Sequence, residues 1–354
     1  MHCLSRFRTY FIATALCVFA GPGLGAEFAS EWSGERVWIG PEYWANPLQD
    51  WSVRGDAVVA QANGAGRSLH LLTHQLGKRQ GACESSVRVR FDGQSGPGMG
   101  RKSWAGFAIG ARGNLDDYRN AAVYPREFLP AGAQLDGKLL LGEKESDAAL
   151  PQGEEVLLEV SAEPAGRQYR VTLRGEAGGK TASVTVDVPA EQLTGNIALM
   201  AHAMTGGRKS PRAVTGKAEW QFREWRAAGD KLEAHPEQTF GPILWTQYTL
   251  SRGVLKLAAL MAPVGERDEK NVVLEVRKNG AWQQAATART DDDARVALFR
   301  VEDWKGAEDV PYRVVYSWQG KLRVFEGTIR RDPVDKPVVT LGGTGCDNGY
   351  IFPQ

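Results

Sequence analysis

The feature that most constrains this chain is a succession of short segments in which apolar and polar residues alternate, bounded by Gly, Asn, Asp or Pro. In "QYRVTLRG", Tyr169, Val171 and Leu173 share one side, and Arg170, Thr172 and Arg174 the other. A period of two sends side chains to opposite faces of an extended backbone. The segment therefore reads as an antiparallel strand, buried on one face and wet on the other. "SSVRVRF", "WAGFAIGAR", "KLLLGE", "EVLLEVSAE", "ASVTVDV" and "GNIALMAHA" are further short strand patterns. No stretch with helical period is long. Many short strands with turn residues between them close into sandwiches or barrels, so the expected fold class is all-β. The 41 Gly and 11 Trp residues suit Gly-rich turns between Trp-bearing strands. The 43 basic and 42 acidic residues leave a net charge of +1, which offers no electrostatic basis for binding nucleic acid or an anionic membrane.

Four regions follow. Residues 1–26 read as a signal peptide: Arg6 and Arg8 precede an apolar core, "FIATALCVFA", and small residues for cleavage lie in "GPGLGA". That core is far shorter than the ~20 residues that span a bilayer, and no later segment is apolar enough to do so. The expected location is therefore periplasmic or extracellular, with no membrane span. Residues 27–228 form a first sandwich that closes on the aromatics of "AEWQFREWRAAG". After a polar boundary near "AAGDKLEAHPEQTFGP", residues 229–332 carry seven more strand patterns, the size of an immunoglobulin- or fibronectin-like sandwich. "KNGAW" and "SWQGKL" read as hairpin turns, because Asn-Gly and Gln-Gly supply positive φ at low cost. Residues 333–354 follow as a linker, stiffened by Pro333 and Pro337, and one further strand.

Candidate chemistry is sparse. Cys3 and Cys17 leave with the signal peptide. Cys83 reads as a small buried strand residue, and its pairing with Cys346 is conceivable only in an oxidising compartment. The final stretch "KPVVTLGGTGCDNGYIFPQ" runs from an apolar strand into a polar glycine-rich loop, the way a buried strand delivers ligands to a site at its C-terminal end. There Cys346, as thiolate, suits Fe(III) or Zn, and Asp347 adds an oxygen donor, but two ligands do not make a metal site. His70 and His74 have the spacing of a helical metal pair, yet lie in a strand pattern that puts both on one face, so a structural role is expected. Asp116 and Asp117 read as a calcium-binding loop or, more simply, a solvated turn. Trp44, Trp104, Tyr118 and Tyr124 are candidates to stack on sugar rings, Trp104 and Tyr118 foremost; in a Trp-rich sandwich such rings also serve as core. Glu154 and Glu155 read as solvated, not as a glycosidase pair.

"DWSVRGDAVVAQANG", "YRNAAVY", "LLEVSAEPAGRQYRVTL" and "GNIALMAHA" together resemble the concanavalin-like (laminin-G-like) jelly roll over about residues 30–228. The wider order "VWIGPEYWANPLQDW", "LHLLTHQLG", "FREWRAAGDKLEAHP", "FGPILWTQYTLSRGVLKLAALMAPVGE", "PYRVVY" and "GTIRRDPVDKP" resembles the N-terminal part of exported PhoD-like (alkaline phosphatase D) metallophosphatases. In those proteins a sandwich lies just before the phosphatase domain, whose first strand ends in a Cys-bearing metal loop. The resemblance implies iron, and calcium or another divalent metal, for a full-length relative acting on phosphoesters. It matches "TGCDNGY" to the first loop only; the later Asp-, Asn- and His-bearing loops have no counterpart here. The expectation is thus a non-catalytic segment, truncated as the phosphatase domain begins, with no cofactor of its own. The alternative is a stand-alone secreted carbohydrate-binding module. A jelly-roll glycosidase would need two convergent acids, which the sequence does not reveal.

Overall fold

The computed structural model describes residues 25–62, 64–93, 99–204, 218–338, 340 and 342. Two facing antiparallel sheets make the first sandwich. Sheet A runs, in spatial order, β14 (Lys180–Pro189), β13 (Gln168–Ala177), β12 (Val156–Ala165), β7 (Cys83–Asp92), β16 (Glu219–Gly229), β5 (Ala57–Gln61), β4 (Trp51–Arg54) and β2 (Glu35–Arg36); β1 (Ala26–Ala29) also pairs with β16. Sheet B runs β11 (Lys144–Ala149), β10 (Lys138–Leu141), β9 (Glu127–Gln134), β8 (Trp104–Arg112), β15 (Gly195–His202), β6 (Arg67–Leu76) and β17 (Leu232–Ala234), with β3 (Tyr43–Asn46) on β6. This is a concanavalin-like jelly roll. A helix, α1 (Tyr118–Val123), packs on the outer side of sheet B.

The alternation seen in the sequence sets which face is buried. Tyr169, Val171 and Leu173 enter the core with Val87, Leu158, Phe107, Leu139 and Leu199, while Arg170 and Arg174 stay outside. Trp51 and Phe222, both fully buried, stack at 5.8 Å. Lys231 is buried as well. Its ammonium donates to the carbonyls of Gly77 (3.0 Å) and Arg79 (3.2 Å) and sits 4.8 Å from the centre of the Tyr169 ring. A buried cation needs such partners, because desolvating it unpaired is prohibitive.

The second sandwich divides its seven strands three and four: β18 (Ile243–Ser251), β19 (Val254–Met261) and β22 (Val296–Val301) face β21 (Ala281–Arg289), β20 (Asn271–Lys278), β23 (Val310–Trp318) and β24 (Lys321–Ile329). This is the immunoglobulin/fibronectin-like arrangement. Two hairpins turn where the sequence indicates. Asn279 and Gly280 (φ 51° and 80°) join β20 to β21, and Gln319 and Gly320 (48° and 74°) join β23 to β24. Positive φ at both central residues matches the right-handed twist of the flanking strands.

Strand pairing of the jelly roll extends past the expected boundary at residue 228, since β16 ends at Gly229 and β17 pairs with β6. The polar composition of this stretch masked a short edge strand. Conversely, residues 31–42 reach across to the second sandwich. Trp38 lies in the second core, 4% exposed, with Leu257, Val314 and Trp318. Its indole meets Trp318 edge-on at 5.1 Å, and its Nε1 donates to the Phe240 carbonyl at 3.1 Å. Around it, Arg36 and Arg323 lie against the Trp318 ring, Arg323 pairs with Glu42 at 3.2 Å, and Gln319 donates to Ser33. The two sandwiches thus share a core residue. Replacing Trp38 with Ala should remove about 3–5 kcal/mol, the usual cost of truncating a buried large aromatic. Urea unfolding should then show two separated transitions where the native chain shows one; a single unshifted transition would contradict this coupling.

Candidate functional site

A groove of about 500 Å³ lies on the outer face of sheet A. Strand register builds it. Across β1, β16, β7, β12 and β13, one row reads Glu27, Ala228, Glu84, Ser161, Thr172, and the next reads Ala29, Arg226, Ser86, Glu159, Arg174. The neighbouring positions along these strands, Phe28, Ala227, Val87, Val160 and Val171, pack inward, so period two turns both rows to solvent. Ala228, Ser86 and Ser161 set the floor, and the long charged side chains interleaved with them rise around it.

A bulge in β16 shapes one wall. The register slips between Arg223 and Arg226, with Glu224 at φ 51°. Such a bulge adds local twist and re-aims the side chains beyond it. It also turns Trp225 into the core, where its Nε1 donates to the Ser85 hydroxyl at 3.1 Å, and that hydroxyl donates to the Arg226 carbonyl at 2.6 Å. The position of Arg226 is therefore tied to the core beneath it.

The charged side chains in the groove are not spent on one another. Among the described residues, Glu84, Glu159, Arg174 and Arg226 form no ion pair, whereas elsewhere on the same face Arg170 holds Asp187 and Arg223 holds Asp56 and Glu155. The groove thus presents carboxylate acceptors, guanidinium donors and the hydroxyls of Ser86 and Ser161, which do both.

The residues singled out from the sequence lie elsewhere. Trp104 opens β8 on the outer face of sheet B; it is 5% exposed, and the half-buried His202 ring stacks on it at 5.7 Å. Tyr118 begins α1, whose ends are held by Asn196, donating to the Tyr118 carbonyl, and Asn46, donating to that of Val123. Asn196 is level with Ala111, and His202 with Trp104. Seven residues of strand separate the two levels, so Trp104 and Tyr118 stand roughly 20 Å apart and make no common platform. Trp44 packs edge-on against Phe240 at 4.7 Å, and Tyr124 is exposed at the end of α1.

Asp117 caps α1 through the Arg119 amide and also holds the Arg119 guanidinium, while Asp116 meets Lys78 at the surface. Glu155 pairs with Arg223 and Arg88. Among the described residues no three His, Cys, Asp or Glu side chains converge as metal ligands. Cys83 is free, and burial pushes its thiol up to about 11, so it is protonated at neutral pH. Cys346 and Asp347 lie outside the described residues.

His70 and His74 do not share a face, contrary to simple alternation. The register of β6 against β15 breaks between His70 and Gln75. Leu69 and Leu71 enter the core before the break and Leu76 after it, so the parity flips. His74 consequently packs on Phe28 at 5.4 Å, while His70 is fully buried on the other face beside the Ser68 hydroxyl at 3.1 Å.

Comparisons with known proteins add little to the site. No family model and no curated protein matches the sequence. Among solved structures, basic winged bean lectin with Tn-antigen is 9% identical, covering 58% of this chain and 98% of the lectin at a TM-score of 0.42. Lectin I from Ulex europaeus with a methyl glycoside of α-L-fucose is 10% identical, covering 58% and 98%, at 0.39. A PL-14 alginate lyase from Aplysia kurodai is 9% identical, covering 56% and 97%, at 0.39. Likenesses at these values do not bear on what this chain binds, and the fold assignment rests on the strand order.

Burial pulls His70 down to about 3 from its ordinary 6.5. The unfolded chain takes up this proton at a higher pH than the folded one, so stability from a neutral His70 is complete above pH 6.5 and is lost as pH falls towards 3. Urea unfolding at pH 7 and pH 4.5 should give a lower midpoint at the acid pH, and His70→Asn should shrink that difference. An unchanged difference would assign the acid sensitivity to other groups.

Proposed function

We propose that this chain is an exported, non-catalytic binding protein whose jelly roll holds a carbohydrate in the groove of sheet A. The observation that carries the reading is the set of unpaired Glu84, Glu159, Arg174 and Arg226 side chains around a floor of Ser and Ala. Most small-molecule pockets are lined chiefly by apolar side chains. This groove adds acceptors and donors to such a lining, which suits a ligand bearing hydroxyls beside apolar ring faces. Hydrogen bonds to ionised groups are the stronger kind, and here forming them breaks no existing ion pair.

Binding fits this groove better than hydrolysis does. Glu84 and Glu159 lie diagonally on adjacent strands, the kind of acid pair a glycosidase needs. Both are exposed on the open face of the sheet, however, where water has free access to a bound ligand. Export rests on the N-terminal basic and apolar pattern, and the periplasm or cell exterior is the compartment proposed.

Glycan-array and affinity-gel binding by the full chain test the proposal. Glu84→Ala and Glu159→Ala should each weaken binding about tenfold or more, the range for a lost charge-assisted hydrogen bond. Trp104→Phe and Tyr118→Ala should leave it unchanged. Loss with these two and not with the groove variants would move the site to sheet B, and no binding to any glycan would sink the reading.

A second reading keeps the resemblance to PhoD-like phosphatases, in which this chain is the non-catalytic N-terminal segment of a phosphoester hydrolase. What favours it is the order of a jelly roll followed directly by an immunoglobulin-like sandwich, together with an anchored exit segment. After β24, the Arg330 amide donates to the Tyr248 hydroxyl and the Arg331 amide to Asp309. On this reading the 354-residue chain should not turn over p-nitrophenyl phosphate esters with any added metal. DNA following codon 354 should encode the Asp-, Asn- and His-bearing ligand loops; their absence from all reading frames would count against it.

A further inference from the structure

The outer face of the three-stranded sheet in the second sandwich is apolar at one end and basic at the other. Its cross-strand rows are Trp245, Leu260, Val296; then Gln247, Ala258, Leu298; then Thr249, Lys256, Arg300. Leu298 is 71% exposed, Trp245 55% and Leu260 37%. Ala258 lies between the longer residues, leaving a hollow of about 470 Å³ walled by Leu298 on one side and by Lys256 and Arg300 on the other. A contiguous exposed apolar patch of this kind marks an interaction surface, whereas a lone exposed leucine does not.

The basic end indicates the partner. Lys256 and Arg300 are direct register partners on the same face. Like charges placed opposite one another destabilise a sheet. Arg300 has Glu302, just past the end of β22, at 2.5 Å, and Lys256 has no ion pair among the described residues. Glu302 offsets the Arg300 charge, and an incoming carboxylate offsets the one left on Lys256. We infer that this face docks a protein segment carrying apolar side chains next to acidic ones, with the apolar groups on Trp245, Leu260 and Leu298 and the carboxylates on Lys256 and Arg300. A bilayer is the poorer occupant. The flanking strand β18 is an edge of this sheet, and β22 is bridged on its outer side at Ala297 to Thr290, so lipid contact would strip water from the edge N–H and C=O groups of β18.

The experiment is selection of a random peptide library displayed on phage against the full chain, followed by fluorescence-anisotropy titration of synthetic versions of the enriched peptides. The expected result is enrichment of Asp or Glu beside Leu, Ile or Phe. Leu298→Ser should weaken their binding about tenfold, and the double variant Lys256→Glu/Arg300→Glu should switch the selection towards basic peptides. All three positions are exposed, and unchanged melting temperatures check that the variants fold. No acidic–apolar enrichment, or enriched peptides indifferent to both variants, would overturn the inference. So would binding to phosphatidylglycerol vesicles that the same variants abolish, or a dimer in sedimentation that Leu298→Ser dissolves, since each gives the face a different occupant.

Discussion

The insertion of Trp38 into the second core is the contact on which the two-sandwich arrangement depends. A residue that belongs by chain order to the jelly roll is buried among side chains of β19, β23 and their neighbours. Hydrophobic burial is not directional, but an indole that also donates to the Phe240 carbonyl and meets Trp318 edge-on has its orientation fixed. Arg36 and Arg323 add cation–π contacts to the same Trp318 ring, and Glu42 holds Arg323 from the jelly-roll side. Aromatic geometry and paired charges together leave little room for the sandwiches to swing about a linker.

Alternation made the elements legible in the sequence. Positions 169–174 and the segments that became β12, β14, β19 and β23 carried their inward and outward faces in plain view, and the paired turn residues at 279–280 and 319–320 marked two hairpins. Two kinds of irregularity were hidden. The bulges in β6 and β16 add residues that no local pattern announces, so His70 and His74 part company and Trp225 turns inward. Short strands such as β2 and β17 have too few residues to show a period, and their pairing is decided by distant partners.

The groove was the least legible part. Thr172 and Arg174 were recognisable as outward-facing, yet nothing local makes β13, β12, β7, β16 and β1 neighbours. That order brings residue 27 beside residue 228 and residue 84 beside residue 161, which is long-range pairing chosen by how the whole core packs. The aromatic residues that drew notice in the sequence, Trp104 above all, were conspicuous for a composition that buried packing explains equally well. Short polar residues at alternate positions have no such visibility, and only the folded sheet turns Ser86, Ser161 and Ala228 into a floor.

β1 lies beside both its pairing partner β16 and the following β17, so the first and last strands of the jelly roll adjoin. A module whose ends adjoin can be spliced into another polypeptide without opening its core, and such modules tend to be shuffled between genes. Here the embedded Trp38 removes that freedom from the jelly roll alone. Moving it to a new host would leave an indole without its cavity, so the unit that recombination can transplant intact is the fused pair.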